Sequence, residues 1–230
     1  MKEFVRKIIN LLGYEIKKKK KNFFLRNKVD LIIDVGAHRG EFAISVLKEN
    51  FQGKIISFEP QSQIYKTLLK NSIKFDNWHV HQRCGIGKAN KNLMLNIMNE
   101  TTCSSFFVPT KNLLSIDPNT KIIKKEKTKV FSLNNLFLKN YKIKKNTFLK
   151  IDTQGYDRFV IDGASKILKK ILYVQMELAI EPLYKNETKF ESMVQYMKKR
   201  GFIIWNLGGV IANLEGKSMS FDIIFKNNNF

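Results

Sequence analysis

The stretch that most constrains this chain is Leu31–Gly40, with the sequence LIIDVGAHRG. Its apolar run ends at Asp34, and Gly36 and Gly40 frame a short turn. After the turn, residues 42–47 carry apolar side chains at helical spacing. This order predicts a strand, a tight glycine turn and a helix. Such a unit opens a nucleotide-binding α/β domain, in which the bare backbone at the helix N-terminus faces a ligand.

The turn also indicates which ligand is bound. A dinucleotide site has the pattern G-x-G-x-x-G, whereas this turn is G-A-H-R-G and follows the acid Asp34. A carboxylate there repels a pyrophosphate and attracts an ammonium group, which favours S-adenosylmethionine. A second acid, Glu59, ends the next apolar run and is placed to accept hydrogen bonds from ribose hydroxyls. The alternative is that Asp34 caps the turn and Glu59 is a solvated loop acid.

Composition limits the class of protein. At 230 residues and 43% apolar content, the chain can form one domain with a sizeable core. No apolar run approaches the ~18 residues that span a bilayer, and Met1–Leu12 is too short for a secretory signal, so we expect a cytoplasmic protein. Cys84 and Cys103 lack metal spacing and are predicted to be reduced thiols. His79 and His81 share one strand face without an acid partner, so no metal site is predicted.

The net charge of +21 raises the question of an anionic partner. Lysine supplies most of the excess, while arginine, which contacts phosphates and bases bidentately, occurs at only six positions. We therefore do not favour a nucleic-acid partner. Residues 1–28 are predicted to form a basic amphipathic extension, which contains an unbroken run of five lysines, Lys17–Lys21. It is interpreted either as a peripheral contact with an anionic membrane or, preferably, as a helix packed on the domain.

Alternating apolar runs predict the architecture. Strands are predicted over residues 31–35, 54–59 and 79–83, with helices over 41–50 and 62–71. This alternation is typical of a parallel, doubly wound α/β sheet. The lysine-rich segment 109–129 is predicted to be a surface excursion, and strands over 202–206 and 221–225 are predicted to close the sheet as a hairpin.

A second motif is TFLKIDTQGYD, over Thr147–Asp157. It predicts a buried strand that ends at Asp152, and Gly155 permits a tight turn into a helix. A further strand over 171–178 carries Glu177 near its end. Ligands bind at the carboxyl ends of the strands in such sheets, so four acids are expected to share one rim. They are Asp34, Glu59, Asp152 and Glu177.

Four blocks of sequence together resemble the FkbM-type family of S-adenosylmethionine-dependent O-methyltransferases. They are IDVGAHRG (33–40), SFEP (57–60), LKIDTQGYDRFVIDGA (149–164), and VQMEL with EPLYKNETKFESMVQYMKKRGF (174–178, 181–202). The resemblance implies a Rossmann-like class I methyltransferase fold. That fold is a seven-stranded, mostly parallel sheet with a reversed last strand and helices on both faces. Residues 29–230 would then form the methyltransferase domain.

The resemblance also implies roles for individual residues. Glu59 matches the ribose-binding acid, and Asp152 matches the acid beside the transferable methyl group. The full set of expected cofactor-binding residues is Asp34, Gly36, Ala37, Gly40, Glu59, Pro60 and Asp152. One departure is Thr153–Gln154, which stands where the family commonly has Val-Glu and so removes a carboxylate.

Methyl transfer to an alcohol requires a base near the hydroxyl, because an alkoxide does not form freely at neutral pH. Asp152 is the first candidate, Glu177 the second and His38 the third. By resemblance, the acceptor is a hydroxyl of a sugar or of a polyketide-like natural product, with a surface-glycan sugar preferred. Ser104 and Ser105 are expected near the ligand.

Three alternatives remain open at this stage. One is an RNA 2′-O-methyltransferase, suggested by the charge. Another is a non-catalytic glycan-binding or membrane-scaffold protein on a methyltransferase fold. The third, a nicotinamide oxidoreductase, is disfavoured by the missing glycine and by Asp34.

Overall fold

The computed structural model describes residues 23–230. Its elements, in chain order, are α1 (Phe23–Arg26), β1 (Leu31–Val35), α2 (Glu41–Lys48), β2 (Lys54–Phe58), α3 (Ser62–Ser72), β3 (Trp78–Val80), β4 (Gly85–Ile86), β5 (Lys91–Met98), α4 (Lys111–Ile116), β6 (Ile122–Phe131), α5 (Leu133–Lys139), β7 (Thr147–Ile151), α6 (Asp157–Gly163), β8 (Tyr173–Ala179), α7 (Phe190–Lys198), β9 (Phe202–Ala212) and β10 (Ser218–Asn227). Short 3-10 turns cover Thr101–Cys103 and Leu168–Lys170.

The main sheet has seven strands in the order β3-β2-β1-β7-β8-β10-β9. Strands β3, β2, β1, β7 and β8 pair in parallel, whereas β10 runs antiparallel to both β8 and β9. Helices α1 to α3 pack on one face of the sheet and α5 to α7 on the other. Each face has its own apolar core. The predicted α/β class, the mostly parallel sheet and the reversed last strand are confirmed.

The amphipathic extension predicted over residues 1–28 lies largely outside the described residues, which begin at Phe23. The part that is described packs on the domain. Phe23 contacts Phe148 and Tyr173 edge to face, and Phe24 contacts Phe51 and Phe148 in the same way. Among the described residues, no helix is both long and apolar enough to cross a bilayer.

The strand order reverses between β1 and β7, and the two strands are neighbours in the sheet. The turn after β1 approaches the chain after β7 so closely that only glycine fits. Gly36 has φ +77°, and a Cβ atom there would lie 1.8 Å from the carbonyl oxygen of Asp152. A crevice at the carboxyl ends of the strands is expected at such a reversal.

The segment 109–129 is more ordered than the predicted surface excursion. It contains α4 and most of β6, which pairs with β5 and β4 in a separate three-stranded sheet. The sequence does not indicate this strand because lysines occupy its exposed positions and leave few apolar residues. Only Thr128 and Val130 of the strand are buried. The closing hairpin is also longer than predicted, because β9 continues through Gly208 and Gly209 to Ala212.

Candidate active site

A cavity of about 290 Å³ lies at the carboxyl ends of β1, β2, β7 and β8. Five of the predicted site residues line it: Gly36, Glu59, Pro60, Asp152 and Glu177. The other three predicted residues, Asp34, Ala37 and Gly40, are not part of its wall. The predicted rim is therefore assembled in part, and its acids do not all face the same space.

Glu59 is held by the two turns that frame the cavity. Its Oε2 accepts a hydrogen bond from the backbone N–H of His38 at 2.8 Å, and its Oε1 accepts one from the N–H of Gln61 at 2.8 Å. Burial raises the pKa of Glu59 to about 7, although these two N–H groups oppose the shift. Each carboxylate oxygen can still accept another hydrogen bond, so Glu59 is fixed as an acceptor in the cavity wall.

Asp34 lies beneath the cavity, with a fully buried side chain. Its Oδ2 accepts a hydrogen bond from Ser57 Oγ at 3.0 Å, and Ser57 Oγ in turn accepts one from Trp78 Nε1 at 2.9 Å. Its Oδ1 lies 3.6 Å from Lys150 Nζ, and burial raises the pKa of the carboxyl. Asp34 does not line the cavity, since its side chain lies on the sheet face that carries Ser57 and Lys150. Its contact with a cofactor stays a prediction.

Ala37 and Gly40 shape the turn rather than the cavity wall. The backbone N–H of Ala37 donates to the carbonyl oxygen of Phe58 at 3.0 Å, and Ala37 is itself buried. Gly40 caps α2 with φ +92°, and a Cβ atom there would lie 2.2 Å from the ring of Trp78. Both residues therefore hold the first turn against its neighbours.

Asp152 lines the cavity, and its carboxylate accepts hydrogen bonds from two side chains. Its Oδ2 accepts from Lys150 Nζ at 3.2 Å, and its Oδ1 accepts from Gln154 Nε2 at 2.8 Å. Burial opposes ionisation, but the ammonium and the amide outweigh it, so the pKa of Asp152 lies below its usual value. The unusual Gln154 thus has a structural reason, since a glutamate in its place lacks the amide N–H that it donates to Asp152.

Glu177 has the opposite electrostatics. Its Oε1 accepts from Ser220 Oγ at 2.6 Å, and the side chain lines the cavity. Burial raises its pKa to about 7, against the opposing effect of Ser220. Two carboxyl groups at neighbouring strand ends, Asp152 and Glu177, are therefore shifted in opposite directions.

His38 also lines the cavity, but both of its ring nitrogens are engaged. Nε2 lies 2.9 Å from Thr101 Oγ1, and Nδ1 lies 3.1 Å from Glu41 Oε1. The residue adopts φ +50°, and its main-chain N–H holds Glu59. His38 therefore tethers the first turn to the Thr101–Cys103 turn.

The rest of the wall is mainly apolar and was not anticipated. It comes from β5, the loop before α4, α4 itself, the loop after β8 and the edge strand β9. Its residues include Leu95, Phe106, Leu113, Ile116, Leu183 and Ile211. Ser104 and Ser105, which were predicted, line it too. Ser105 Oγ donates to the carbonyl oxygen of Gln154 at 2.7 Å, and Ser104 Oγ accepts from the N–H of Met98 at 3.1 Å. Both serines thus also brace the loops around the cavity.

The cysteines and the remaining histidines of the described residues are not arranged as metal ligands. Cys84 and Cys103 are free thiols, as predicted. His79 and His81 do share a face, where both contact the hydroxyl of Tyr141, at 3.0 and 2.8 Å. Within residues 23–230, no group of three or more His, Cys, Asp or Glu side chains is arranged to hold a metal ion.

A sequence profile of the FkbM methyltransferase domain matches residues 34–204. The chain belongs to the FkbM methyltransferase family. The predicted family is thereby confirmed, and with it membership among S-adenosylmethionine-dependent methyltransferases. No curated protein matches the sequence.

One solved structure agrees with the FkbM assignment at the level of the fold. A crystal structure of an FkbM methyltransferase from Methylobacillus flagellatus KT has a TM-score of 0.51 and 15% identity, over 85% of this chain and 43% of that one. The present chain thus spans less than half of that relative. TrmK of M. capricolum, in complex with S-adenosyl-homocysteine, has a TM-score of 0.49 and 12% identity, over 90% of this chain and 69% of that one.

Proposed function

We propose that this FkbM-family protein is an O-methyltransferase that uses S-adenosylmethionine and acts on a hydroxyl group of a small molecule. The observation that carries the proposal is one cavity lined by three carboxyl groups, of which Glu59 and Glu177 have a raised pKa and Asp152 a lowered one. Each suits one part of the reaction, which needs a ribose acceptor, a negative charge near a cationic sulfur and a base.

The residues of the first two turns fit the cofactor. Gly36 leaves the backbone bare, and Glu59 offers two carboxylate oxygens for a pair of ribose hydroxyls. Gln61 lines the same wall, where its Nε2 donates to the carbonyl oxygen of Thr101 at 3.0 Å. Its Oε1 is buried and has no hydrogen-bond partner among the described residues, which suits a donor group on a ligand. When bound, the cofactor supplies an electrophilic methyl group.

Glu177 is the better candidate for the general base. A base is most effective when its pKa lies near the operating pH, and burial raises the pKa of Glu177 to about 7. Asp152, the first candidate from the sequence, is paired with Lys150 and its pKa is lowered, so it accepts a proton poorly. In the proposed step, Glu177 would take the hydroxyl proton of the acceptor as its oxygen bonds to the methyl carbon. A bound cofactor would supply that methyl group and leave as the neutral thioether S-adenosyl-homocysteine. Asp152 stays ionised beside the positive charge.

The apolar part of the wall suggests the kind of acceptor. Four apolar residues of the cavity wall lie near β8: Leu113, Ile116 and Leu183 pack with Ala179, and Ile211 is aligned with Ser220, which donates to Glu177. A sugar buried there would leave several hydroxyls without partners, at a cost of about 1–3 kcal/mol for each. We therefore favour an acceptor with one reactive hydroxyl on a largely apolar body over the glycan sugar expected from the resemblance.

The proposed cofactor is tested by calorimetric titration of the purified protein with S-adenosyl-homocysteine. We expect micromolar binding by the wild type and a large loss in Glu59→Ala. The control is Glu191→Ala, which alters an exposed acid on α7 and should bind as the wild type does. Folded wild-type protein that does not bind the ligand would contradict the proposal.

The release of S-adenosyl-homocysteine distinguishes a small-molecule methyltransferase from the RNA and the non-catalytic alternatives. S-adenosyl-homocysteine released in the presence of apolar alcohols, sugars or RNA identifies the acceptor class. RNA-dependent release with a steep dependence on salt would favour the RNA alternative. Cofactor binding without release for any acceptor would favour the non-catalytic one.

A further inference from the structure

Lys150 is a buried cation that the sequence motifs did not single out. It lies in the middle of β7, where it is aligned with Asp34 on β1 and Gln175 on β8, and it is only 9% exposed. Residues aligned in this way on neighbouring parallel strands share a sheet face. Its Nζ lies 3.2 Å from Asp152 Oδ2, 3.6 Å from Asp34 Oδ1 and 5.3 Å from the centre of the Phe42 ring.

Lys150 remains charged in this setting. Burial alone favours its neutral form, but Asp152 and Asp34 outweigh burial and raise its pKa above the usual value. Removing one partner of a buried ion pair leaves an uncompensated charge, which is strongly unfavourable. Lys150 therefore acts on two carboxyl groups at once, one beneath the cavity and one in its wall.

The acidic surroundings of Asp152 make the positive charge of Lys150 important for its ionisation. The ionisable groups that face it from the adjoining elements are Asp34 on β1, Glu59 after β2, Glu177 on β8, Asp222 on β10, Asp157 on α6, Glu187 and Tyr184 in the loop after β8, and His38 in the first turn. Most of these groups are acids, and each ionised acid favours a neutral Asp152. Lys150 and His38 act in the other direction, and of these two only Lys150 donates a hydrogen bond to the Asp152 carboxylate.

We propose that Lys150 is a positioning residue that keeps Asp152 ionised and turned into the cavity, so that a carboxylate meets the cationic ligand. The identity of that ligand rests on the proposed function. Gln154 shares the orienting part, because its amide donates to the other carboxylate oxygen. The Gln154 hydrogen bond also favours the ionised form of Asp152, but the positive charge of Lys150 has the larger effect on its pKa.

The central experiment compares two variants that share one background. Lys150→Met alone would leave Asp34 buried without a cation, so both proteins carry Asp34→Asn, whose amide oxygen can still accept from Ser57. The affinity for S-adenosylmethionine is measured by calorimetry from pH 5.5 to 8.5 for Asp34→Asn and for Asp34→Asn/Lys150→Met. At each pH, the Kd of Asp34→Asn/Lys150→Met is divided by the Kd of Asp34→Asn. This ratio removes the contribution of ionisable groups that both proteins retain, such as Glu59.

We expect this ratio to rise at least about tenfold as the pH falls from 8.5 to 5.5, because Asp152 becomes protonated only where Lys150 is missing. Restoring the charge with Lys150→Arg should flatten the ratio, and adding Asp152→Asn to both proteins should abolish its pH dependence. A merely structural lysine would change the ratio equally at every pH. A flat ratio between two folded variants would overturn the proposal.

A second measurement needs no variant and no ligand. Carbon NMR of aspartate-labelled wild-type protein follows the titration of the Asp152 carboxyl directly, with Asp152→Asn to assign the signal. We expect its pKa to lie below that of an ordinary aspartate. An ordinary or raised pKa would overturn the role of Lys150 even if the Lys150→Met variants fail to fold. If the wild type binds no S-adenosylmethionine, the proposed function fails and this titration still tests Lys150.

Discussion

The two halves of the cavity are built in different ways. On the side of β1 and β2, a short stretch of chain supplies Gly36, Glu59 and Gln61, and hydrogen bonds between backbone and side chains fix the groups that face the ligand. On the side of β8, the wall is mostly apolar and is collected from four separate segments. In the first half, hydrogen bonds fix the positions of the polar groups, whereas the shape of the second half depends on the packing of apolar side chains. If the first half binds the cofactor and the second half the acceptor, as proposed, a substitution in one half should leave binding in the other half unchanged.

The largest expected effect sharpens this comparison at Glu177. Glu177→Gln keeps the size of the side chain and can still accept from Ser220, but it cannot take a proton at neutral pH. We expect turnover to fall by about 10²–10⁴-fold with little change in cofactor affinity. Single-turnover kinetics at saturating cofactor measures it. Turnover within a few-fold of the wild type would remove Glu177 from the role of base.

The next largest effect belongs to the cofactor half. Glu59→Gln removes a charged acceptor of ribose hydroxyls, and each charged hydrogen bond contributes about 1.5–3 kcal/mol. The Kd of S-adenosylmethionine should therefore rise by about 10–100-fold, while kcat at saturation stays close to that of the wild type. Calorimetry and initial rates give the two values, with Glu191→Gln as control. A variant that lost kcat but kept its Kd would break the assignment of Glu59 to the cofactor half.

The pH dependence distinguishes the two acids at the neighbouring strand ends. Burial raises the pKa of Glu177 to about 7, so the base is protonated below that pH and free above it. With cofactor saturating, kcat should rise about tenfold per unit of pH below 7 and level off near 8. The lowered pKa of Asp152 predicts a midpoint on the acid side of an ordinary aspartate instead. Rates that are flat from pH 5.5 to 8.5 would contradict Glu177 as the base.

The smallest expected effect tests the apolar half. Ile116→Asn places a polar amide in the wall near Glu177, and we expect the KM of an apolar acceptor to rise by about tenfold. The Kd of the cofactor should not change. Ile123→Asn is the control, because that side chain is 56% exposed on β6 and does not line the cavity. Equal effects of the two substitutions would argue against an apolar acceptor.

The sequence predicted the cofactor half well because that half is local. The strand over 31–35 agrees with β1, and Glu59 and Asp152 do line one cavity. The sequence could not show whether the Asp34 side chain lines the cavity, because its direction depends on the partners Ser57 and Lys150 on neighbouring strands. Lys150 itself carried a usable signal, since it is a charged residue inside a strand that is otherwise buried and apolar.

The acceptor half could not be predicted in the same way. Its wall includes Ile211, which depends on β9 continuing past Gly208 and Gly209, and Leu113 and Ile116, which follow a lysine-rich segment with little periodicity. Pairing with distant strands overrides both local signals. β6 is ordered by β5, and β9 is ordered by β10. Such long-range pairing leaves no motif in a short window of sequence.

The central pairing of β1 with β7 has a consequence for synthesis on the ribosome. These adjacent strands are far apart in the chain, and the backbone N–H of Asn146 reaches back 116 residues to Asp30. Until Thr147–Ile151 has left the exit tunnel, the apolar strand β1 has an unpaired edge on that side. Such an edge invites pairing with other chains. A nascent or truncated chain that stops before residue 147 would therefore be prone to aggregate, and a chaperone would have to shield β1 until its partner arrives.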